Sequence, residues 1–380
     1  MPIVRALQKK IENSLFKGKI IIIYGARQVG KTTLVKEIQS KYAADSVYLN
    51  CDEPDTRDAL TNKTSTELKA FIGNKRLVII DEAQRVENIG LSLKLIVDNF
   101  SDTQIIATGS SSFDLSNKIA EPLTGRKEEY YLYPFSLEEL RSIYSGVETD
   151  RLLERRMIYG MYPEITQSAE EAEKKLKNLA TSYAYKDILQ YQNIKNSEVL
   201  EKLLKALALQ IGNEVSYNEL ASLIGINRQT VENHVRLLEK AFIIFRLSPF
   251  SRNLRNELKK LRKIYFYDTG IRNALINNFN PLDLRSDAGS LWENFMISER
   301  IKYNNNHGVD NNMYFWRTTQ KQEIDYMEEH GGALAAFEFK WKKDVFKKPK
   351  PFMDAYPGSK IELVNNNSYS KFVGLKDGVL

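Results

Sequence analysis

One short segment, Gly25-Ala26-Arg27-Gln28-Val29-Gly30-Lys31-Thr32, limits what this chain can fold into more than any other. It reads G-x-x-x-x-G-K-T, the phosphate-loop pattern. Ile20 to Tyr24, four isoleucines and a tyrosine, precede it. That apolar run suits a strand buried on both faces of a parallel sheet. Thr32 to Ile38 follow with apolar positions at helical spacing. Strand, loop and helix in this order meet the needs of a bound phosphate. Glycines let backbone N–H groups wrap it, and the helix N-terminus presents its positive end. The expected nucleotide contacts are Gly25, Ala26, Arg27, Gln28, Val29, Gly30, Lys31, Thr32 and Thr33. Lys31 supplies a mobile cation for the β- and γ-phosphates of ATP, and the Thr32 hydroxyl can hold Mg2+.

A second apolar strand, Leu77 to Ile80, ends in Asp81-Glu82. Four apolar residues and two acids form the usual partner of a phosphate loop. Asp81 is expected to hold Mg2+ with Thr32. Glu82 is expected to orient and deprotonate the attacking water. The acidic pair favours a nucleotide hydrolase over a small-molecule kinase. Two further strands are expected, Ser46 to Asn50 between the motifs and Gln104 to Thr108 after them. The extra strand between the motifs points to the additional-strand class of phosphate-loop ATPases, in which a polar residue ending the central strand senses the γ-phosphate. Thr108 and Ser110 are the candidates, set against a plain Gly/Ser turn after a core strand. Arg126 lies beyond this strand at a plausible distance for an arginine finger, in the same chain or on a neighbouring subunit's nucleotide.

The bulk composition is that of an ordinary globular protein. The chain has 380 residues, 42% hydrophobic and 27% charged. A prior of about 150 residues per domain implies two or three domains. The net charge of +6 is compatible with a nucleic-acid partner without requiring one. The one cysteine, Cys51, permits no intramolecular disulfide, is expected at a half-buried strand end, and fits a reducing compartment. No apolar run approaches the roughly eighteen residues of a membrane span, and Met1 to Arg5 does not read as a signal peptide. The expected location is cytoplasmic, with no membrane association.

The run from Ile20 to about Leu140 resembles the AAA+-like ATPase domain of many prokaryotic ATP-binding proteins. The matching pieces are GARQVGKTTL, LVIIDEAQ, ATGSSS, LTGR and YPFSLEEL, with GMYPE (160–164) and YKDIL (185–189) later in the chain. The resemblance extends to about residue 345 and implies a C-terminal region of unassigned function. From about 140 to 191 the pattern is helical and charged, like the lid that follows such cores.

Residues 198–247 carry a helix-turn-helix pattern. Leu200, Leu203, Leu204, Leu207 and Ile211 recur at helical spacing. Ser216 can cap a helix over 217–224, with Glu219 at the capping-box position. Gly225 makes the turn, and Asn227 can cap a helix over 228–240. Strands are expected over 241–247 and 263–267, with Arg252, Arg255, Lys259, Lys260 and Arg262 between them. This is a winged-helix layout with a basic wing. In a DNA-binding reading, Arg228, Gln229, Asn233 and Arg236 face the major groove while Arg252 and Arg255 meet phosphates. In the alternative reading the same domain packs against a protein partner; Glu232 and Glu239 on that helix weaken the DNA reading.

Glu293, Asp325, Glu338 and Lys340 form the last constellation. In a strand, Glu338 and Lys340 project from one face. Asp325 and Glu338 on neighbouring strands can converge on a divalent ion, with Lys340 positioning a water. This resembles the PD-(D/E)xK nuclease-like core, except that Ile324 stands where proline is usual. The alternative is an inactive fold in which the acids are an ion-pair cluster. Lys342, Lys343, Lys347, Lys348 and Lys350 follow as phosphate contacts or a solvated tail.

The expected fold class is α/β: an AAA+-like P-loop ATPase core (1–140), a helical lid (141–197), a winged helix (198–270) and a nuclease-like α/β domain (271–380). The expected activity is Mg2+-dependent ATP hydrolysis coupled to a DNA transaction. The alternatives are a nucleotide-dependent protein-interaction switch and an ATP-gated metal-dependent nuclease. DNA, a protein partner and further copies of the chain are the candidate partners.

Overall fold

The computed structural model describes residues 3–110, 112–167, 170–181, 197–251, 262–318 and 320–375. Arg252, Arg255, Lys259, Lys260 and residues 185–189 therefore lie outside the described residues. The chain divides into two compact units. One comprises Pro2–Pro134 with Lys240–Phe242, and the other Phe135–Glu239 with Ile243–Leu380.

The first unit is built on a five-stranded parallel sheet. Its strands are β1 (Ile20–Tyr24), β2 (Ser46–Asn50), β3 (Leu77–Asp81), β4 (Gln104–Gly109) and β5 (Lys127–Tyr131), in spatial order β2-β3-β4-β1-β5. The strand that carries the acids is thus separated from the loop strand by β4. All of β1, β3 and β4 is buried, which is why these segments read as unbroken apolar runs rather than alternating ones. The helix Lys31–Ser40 packs Leu34, Val35 and Ile38 inward. Thr64 and Glu67 close a full capping box at the helix Ser65–Ile72. Cys51 is fully buried rather than half-buried, and burial, with Asp81 nearby, pushes its thiol up to about 12.

The second unit is organised around a seven-stranded mixed sheet in the order β12-β11-β10-β9-β7-β8-β6. Its strands are β6 (Glu214–Val215), β7 (Ile244–Pro249), β8 (Arg262–Phe266), β9 (Asn312–Arg317), β10 (Glu323–His330), β11 (Ala333–Phe339) and β12 (Lys360–Val364). At one end, helices Ser197–Leu209, Tyr217–Ile224 and Arg228–Lys240 precede the antiparallel pair β7–β8, and β6 pairs with the outer side of β8. Ser216 accepts the Glu219 N–H, and Asn227 accepts that of Thr230 at 2.8 Å. Gly225 between the helices is left-handed (φ 77°), a conformation glycine takes without strain.

At the other end, the helix Ala288–His307 leads into the antiparallel meander β9–β10–β11. The helix Lys350–Ala355 follows, and β12 lies parallel to β11. The two ends are one sheet because β7 pairs in parallel with β9 (Ser248 opposite Tyr314, Pro249 opposite Phe315). Phe250 packs onto the cluster of Trp316, Ile324, Met327, Ala336, Phe352 and Ile361.

The segment expected as a lid is built into this second unit. Met161 N–H donates to the buried Asp268 carboxylate at 2.6 Å, and Asn273 donates to the Ile158 carbonyl at 2.8 Å. A Cβ on Gly270 would lie 2.2 Å from the Tyr159 carbonyl oxygen, so helix Gly146–Tyr159 approaches helix Thr269–Leu275 as closely as glycine allows. Sequence gives helical character to this segment but not its packing partner, which lies about a hundred residues away.

Candidate functional site

The loop 25–30 leaves the carboxyl end of β1 and enters the helix Lys31–Ser40 through Gly30, which is left-handed at φ 96°. Gly25 is sterically required, since a Cβ there would lie 2.2 Å from the Leu132 carbonyl oxygen. Gln28 is also left-handed (φ 58°), and Val29 is fully buried beneath the loop. Thr33 and Gln28 face solvent, while Ala26 is buried and Arg27 partly so. The Lys31 ammonium donates to the carbonyls of Gly25 (2.8 Å) and Ala26 (2.9 Å), which holds the cation over the loop.

Asp81, at the end of β3, is the hub of the site and is buried. Thr32 donates to its Oδ2 at 2.7 Å, and the Tyr48 hydroxyl donates to the same oxygen at 2.5 Å. Thr108, fully buried on β4, donates to Oδ1 and accepts the Glu82 N–H at 3.1 Å. The loop helix and strands β2, β3 and β4 therefore converge on one carboxylate. One carboxylate and one hydroxyl are donors of the kind that would hold Mg2+, with water and phosphate oxygens to complete its shell, so the donor set fits that ion. Burial, then the bond to Asp81, raises the Tyr48 phenol well above its ordinary range, so it stays a donor.

Glu82 turns off the strand with a left-handed backbone (φ 55°, ψ 39°), a conformation that costs a residue with a Cβ about 1–2 kcal/mol. Its carboxylate accepts from the Gln84 amide, which also donates to Ser110 at 3.0 Å. Lys118, on the helix Ser112–Ile119, donates to the Gln84 carbonyl at 2.5 Å. Thr108 is thus a strut beneath Asp81 and not a group open to a ligand, whereas Ser110 is linked to Glu82 through Gln84.

Arg126 lies elsewhere. Ile20 pairs with Lys127, and the Arg126 carbonyl accepts the Ile20 N–H at 2.9 Å, so Arg126 sits at the amino ends of β1 and β5. The loop leaves from the carboxyl end, five residues or roughly 16 Å away at about 3.3 Å per residue. Its guanidinium is paired with Asp98 at 2.6 Å. Within its own chain it cannot serve as a finger, because strand register, and not sequence distance, fixes which end of the sheet a residue occupies.

Arg228, Gln229, Asn233 and Arg236 share the exposed face of the helix Arg228–Lys240. Two pairs are internal: Gln229 donates to Asn233 at 3.1 Å, and Arg236 meets Glu232 at 2.6 Å. Lys342, Lys343, Lys347, Lys348 and Lys350 are all exposed.

Glu293, Asp325, Glu338 and Lys340 come together at one face of the second sheet. Lys340 pairs with Glu338 (2.6 Å) and lies 4.0 Å from Asp325. Phe339 N–H donates to Asp325 Oδ2 at 2.9 Å. Sequence reasoning missed a fifth member, Lys263 on β8, whose Nζ is 3.0 Å from Glu293 and also pairs with Glu323. It also missed Tyr48 and Gln84 at the first site. A tyrosine inside an apolar strand or a lysine at a strand start carries no local signal of such a partner. Among the described residues, no group of three or more His, Cys, Asp or Glu side chains is arranged to hold a metal ion, and no helix is long and apolar enough to cross a membrane.

Comparison with known proteins bears on the same segments. Residues 17–141 match the family described as an AAA domain. Residues 150–282 and 288–372 match two families described as domains of unknown function, DUF8612 and DUF4143. An uncharacterized protein of Mycobacterium tuberculosis is 27% identical over 335 residues, which is 87% of this chain and 72% of its own length. An uncharacterized protein of Methanocaldococcus jannaschii is 27% identical over 344 residues, 85% of this chain and 75% of its length. Among solved structures, the RuvB Holliday junction branch migration motor of Thermotoga maritima is similar over 64% of this chain and 90% of its own, at 18% identity and a TM-score of 0.32. Residues 17–141 are therefore similar to AAA domains, which supports a nucleotide-binding P-loop core in this segment.

Proposed function

We propose that this protein hydrolyses ATP with Mg2+ at the loop 25–33 and uses its nucleotide state to control a DNA transaction. The observation that carries the first half is the convergence of Thr32, Tyr48 and Thr108 on Asp81, with Glu82 held beside them. In this reading the loop amides and Lys31 bind the phosphates, and Thr32 and Asp81 hold Mg2+, which would neutralise phosphate charge. Glu82 takes the proton of the attacking water, and Gln84 holds its carboxylate in place. Replacing Lys31 by alanine is expected to abolish turnover; unchanged hydrolysis would overturn the site.

The second half rests on the helices 217–224 and 228–240 followed by the antiparallel pair β7–β8, with β6 beside β8 at the end of the sheet. This order supports a winged helix, whose exposed Arg228, Gln229, Asn233 and Arg236 would meet DNA. The helix, meander, helix and parallel strand over 288–364 support a nuclease-like fold beside it. The test is ATP turnover with and without duplex and single-stranded DNA, where stimulation is expected.

One observation favours a second reading, a switch that binds protein. Leu209 (62% exposed) and Leu223 (68%) are bare on two of the helices, and Arg236 is already paired with Glu232. Salt separates the two readings. Phosphate contacts give DNA retention that falls steeply with ionic strength, while a protein-binding switch retains little DNA at any salt.

A further inference from the structure

We infer that Lys263 is the resident cation of the carboxylate cluster in the second unit, and that this cluster is an internal ion-pair hub rather than a divalent-metal catalytic centre. Lys263 enters from β8, outside the segment that supplies the acids. Its side chain is 1% exposed. The ammonium meets Glu293 of the helix Ala288–His307 and Glu323 of β10, and lies 5.5 Å from the centre of the Phe315 ring. It is therefore held by groups from three elements. Burial works against its charge, but the fields of Glu293, Asp325 and Glu323 outweigh that and keep it protonated above the ordinary lysine range.

The other members are engaged as well. The Tyr265 hydroxyl donates to Glu293, Lys340 neutralises Glu338, and Asp325 accepts from a backbone N–H. Arg317 closes the rim by pairing with Glu214 (3.0 Å) and Glu323 (3.5 Å). A divalent ion among Asp325, Glu338 and Glu293 would have to displace these partners and sit against the buried Lys263 ammonium. The donor set at this place therefore does not suit a metal, even though its acids have the spacing that suggested one. A lysine here does what a metal would otherwise do for stability, tying β8, β10 and the long helix together through one positive centre.

The test uses the full chain carrying Asp81→Asn, so that Mn2+ at the nucleotide site does not contribute. Bound Mn2+ is counted by electron paramagnetic resonance, and unfolding is followed by thermal scans. With Lys263 in place, millimolar Mn2+ uptake is expected to be the same with and without Asp325→Asn. Lys263→Ala is expected to lower Tm by about 10 °C, the scale for stranding a buried charge, and to create one Mn2+ site that Asp325→Asn removes. Asp325-dependent Mn2+ uptake by the protein with Lys263 intact would overturn the inference, and that arm does not depend on the variant folding. So would a Lys263→Ala protein that melts with its parent.

Discussion

Replacing Thr108 by valine tests the strut under Asp81 without opening a cavity, because valine has nearly the shape of threonine. The hydroxyl is fully buried and makes two bonds, one to the Asp81 carboxylate and one from the Glu82 N–H. Removing a donor to a carboxylate costs about 1.5–3 kcal/mol, and leaving the part-buried Glu82 N–H unpaired adds about 1–3 kcal/mol. The expected loss is about 3–5 kcal/mol, a large share of a typical stability of about 5–15 kcal/mol. Thr108→Ser keeps both bonds and removes one methyl group, for about 1 kcal/mol. Urea unfolding of the three proteins, followed by far-UV circular dichroism, should rank wild type, serine and valine in that order, with a gap of at least about 2 kcal/mol between the last two. The same order should hold for kcat, since Asp81 and the Glu82 backbone both lose their support. A valine variant as stable as the serine variant would refute the reasoning, because packing rather than hydrogen bonding would then explain the residue.

Three other substitutions probe the two sites. Glu82→Gln should still bind ATP while kcat falls by about a hundredfold or more, measured by equilibrium binding beside turnover; normal hydrolysis would remove Glu82 as the base. Tyr48→Phe takes one donor from Asp81 and should raise the Mg2+ concentration for half-maximal turnover by about tenfold, the scale of lost support behind a metal ligand; an unchanged Mg2+ titration would count against it. Glu293 is pushed up to about 7, first by burial and then by Asp325, against the pull of Lys263. Between its unfolded value near 4.5 and 7, the folded state alone holds the proton. Stability should therefore fall as pH rises through that window, by at most about 3 kcal/mol, and level off above it. Glu293→Gln should flatten this slope in urea titrations at several pH values; an identical slope would show that another group is responsible.

What is legible in sequence at the first candidate site is its local parts. The strand, loop and helix over 20–40 lie next to each other in the chain, and β3 ends in its acids within five residues. What sequence could not supply were relations between distant segments. Arg126 looked usable because it follows β4, yet the pairing of Lys127 with Ile20 places it at the wrong end of the sheet. Tyr48 reaches Asp81 only because β2 lies beside β3. The helical pattern after residue 140 matches helices over 146–159 and 163–167, but it does not carry the bonds from Asp268 and Asn273 that bind this segment into the second unit. The acids 293, 325 and 338 were found as a group; the lysine among them comes from a strand that pattern assigned to another domain. In each case the missing information is a long-range contact, which periodicity and spacing do not encode.

The pairing of β7 with β9 also sets limits on how this gene can be cut or recombined. Segments 150–282 and 288–372 match separate families, but they are joined by a short strand pairing (Ser248 opposite Tyr314, Pro249 opposite Phe315) that the Phe250 N–H extends by donating to the Phe315 carbonyl, and the half-buried Phe250 packs against the core cluster of the second segment. A break at residue 285 would expose two raw strand edges, one on each fragment, and such edges recruit other chains into aggregates. The two halves are therefore expected to be stable together and prone to associate when apart.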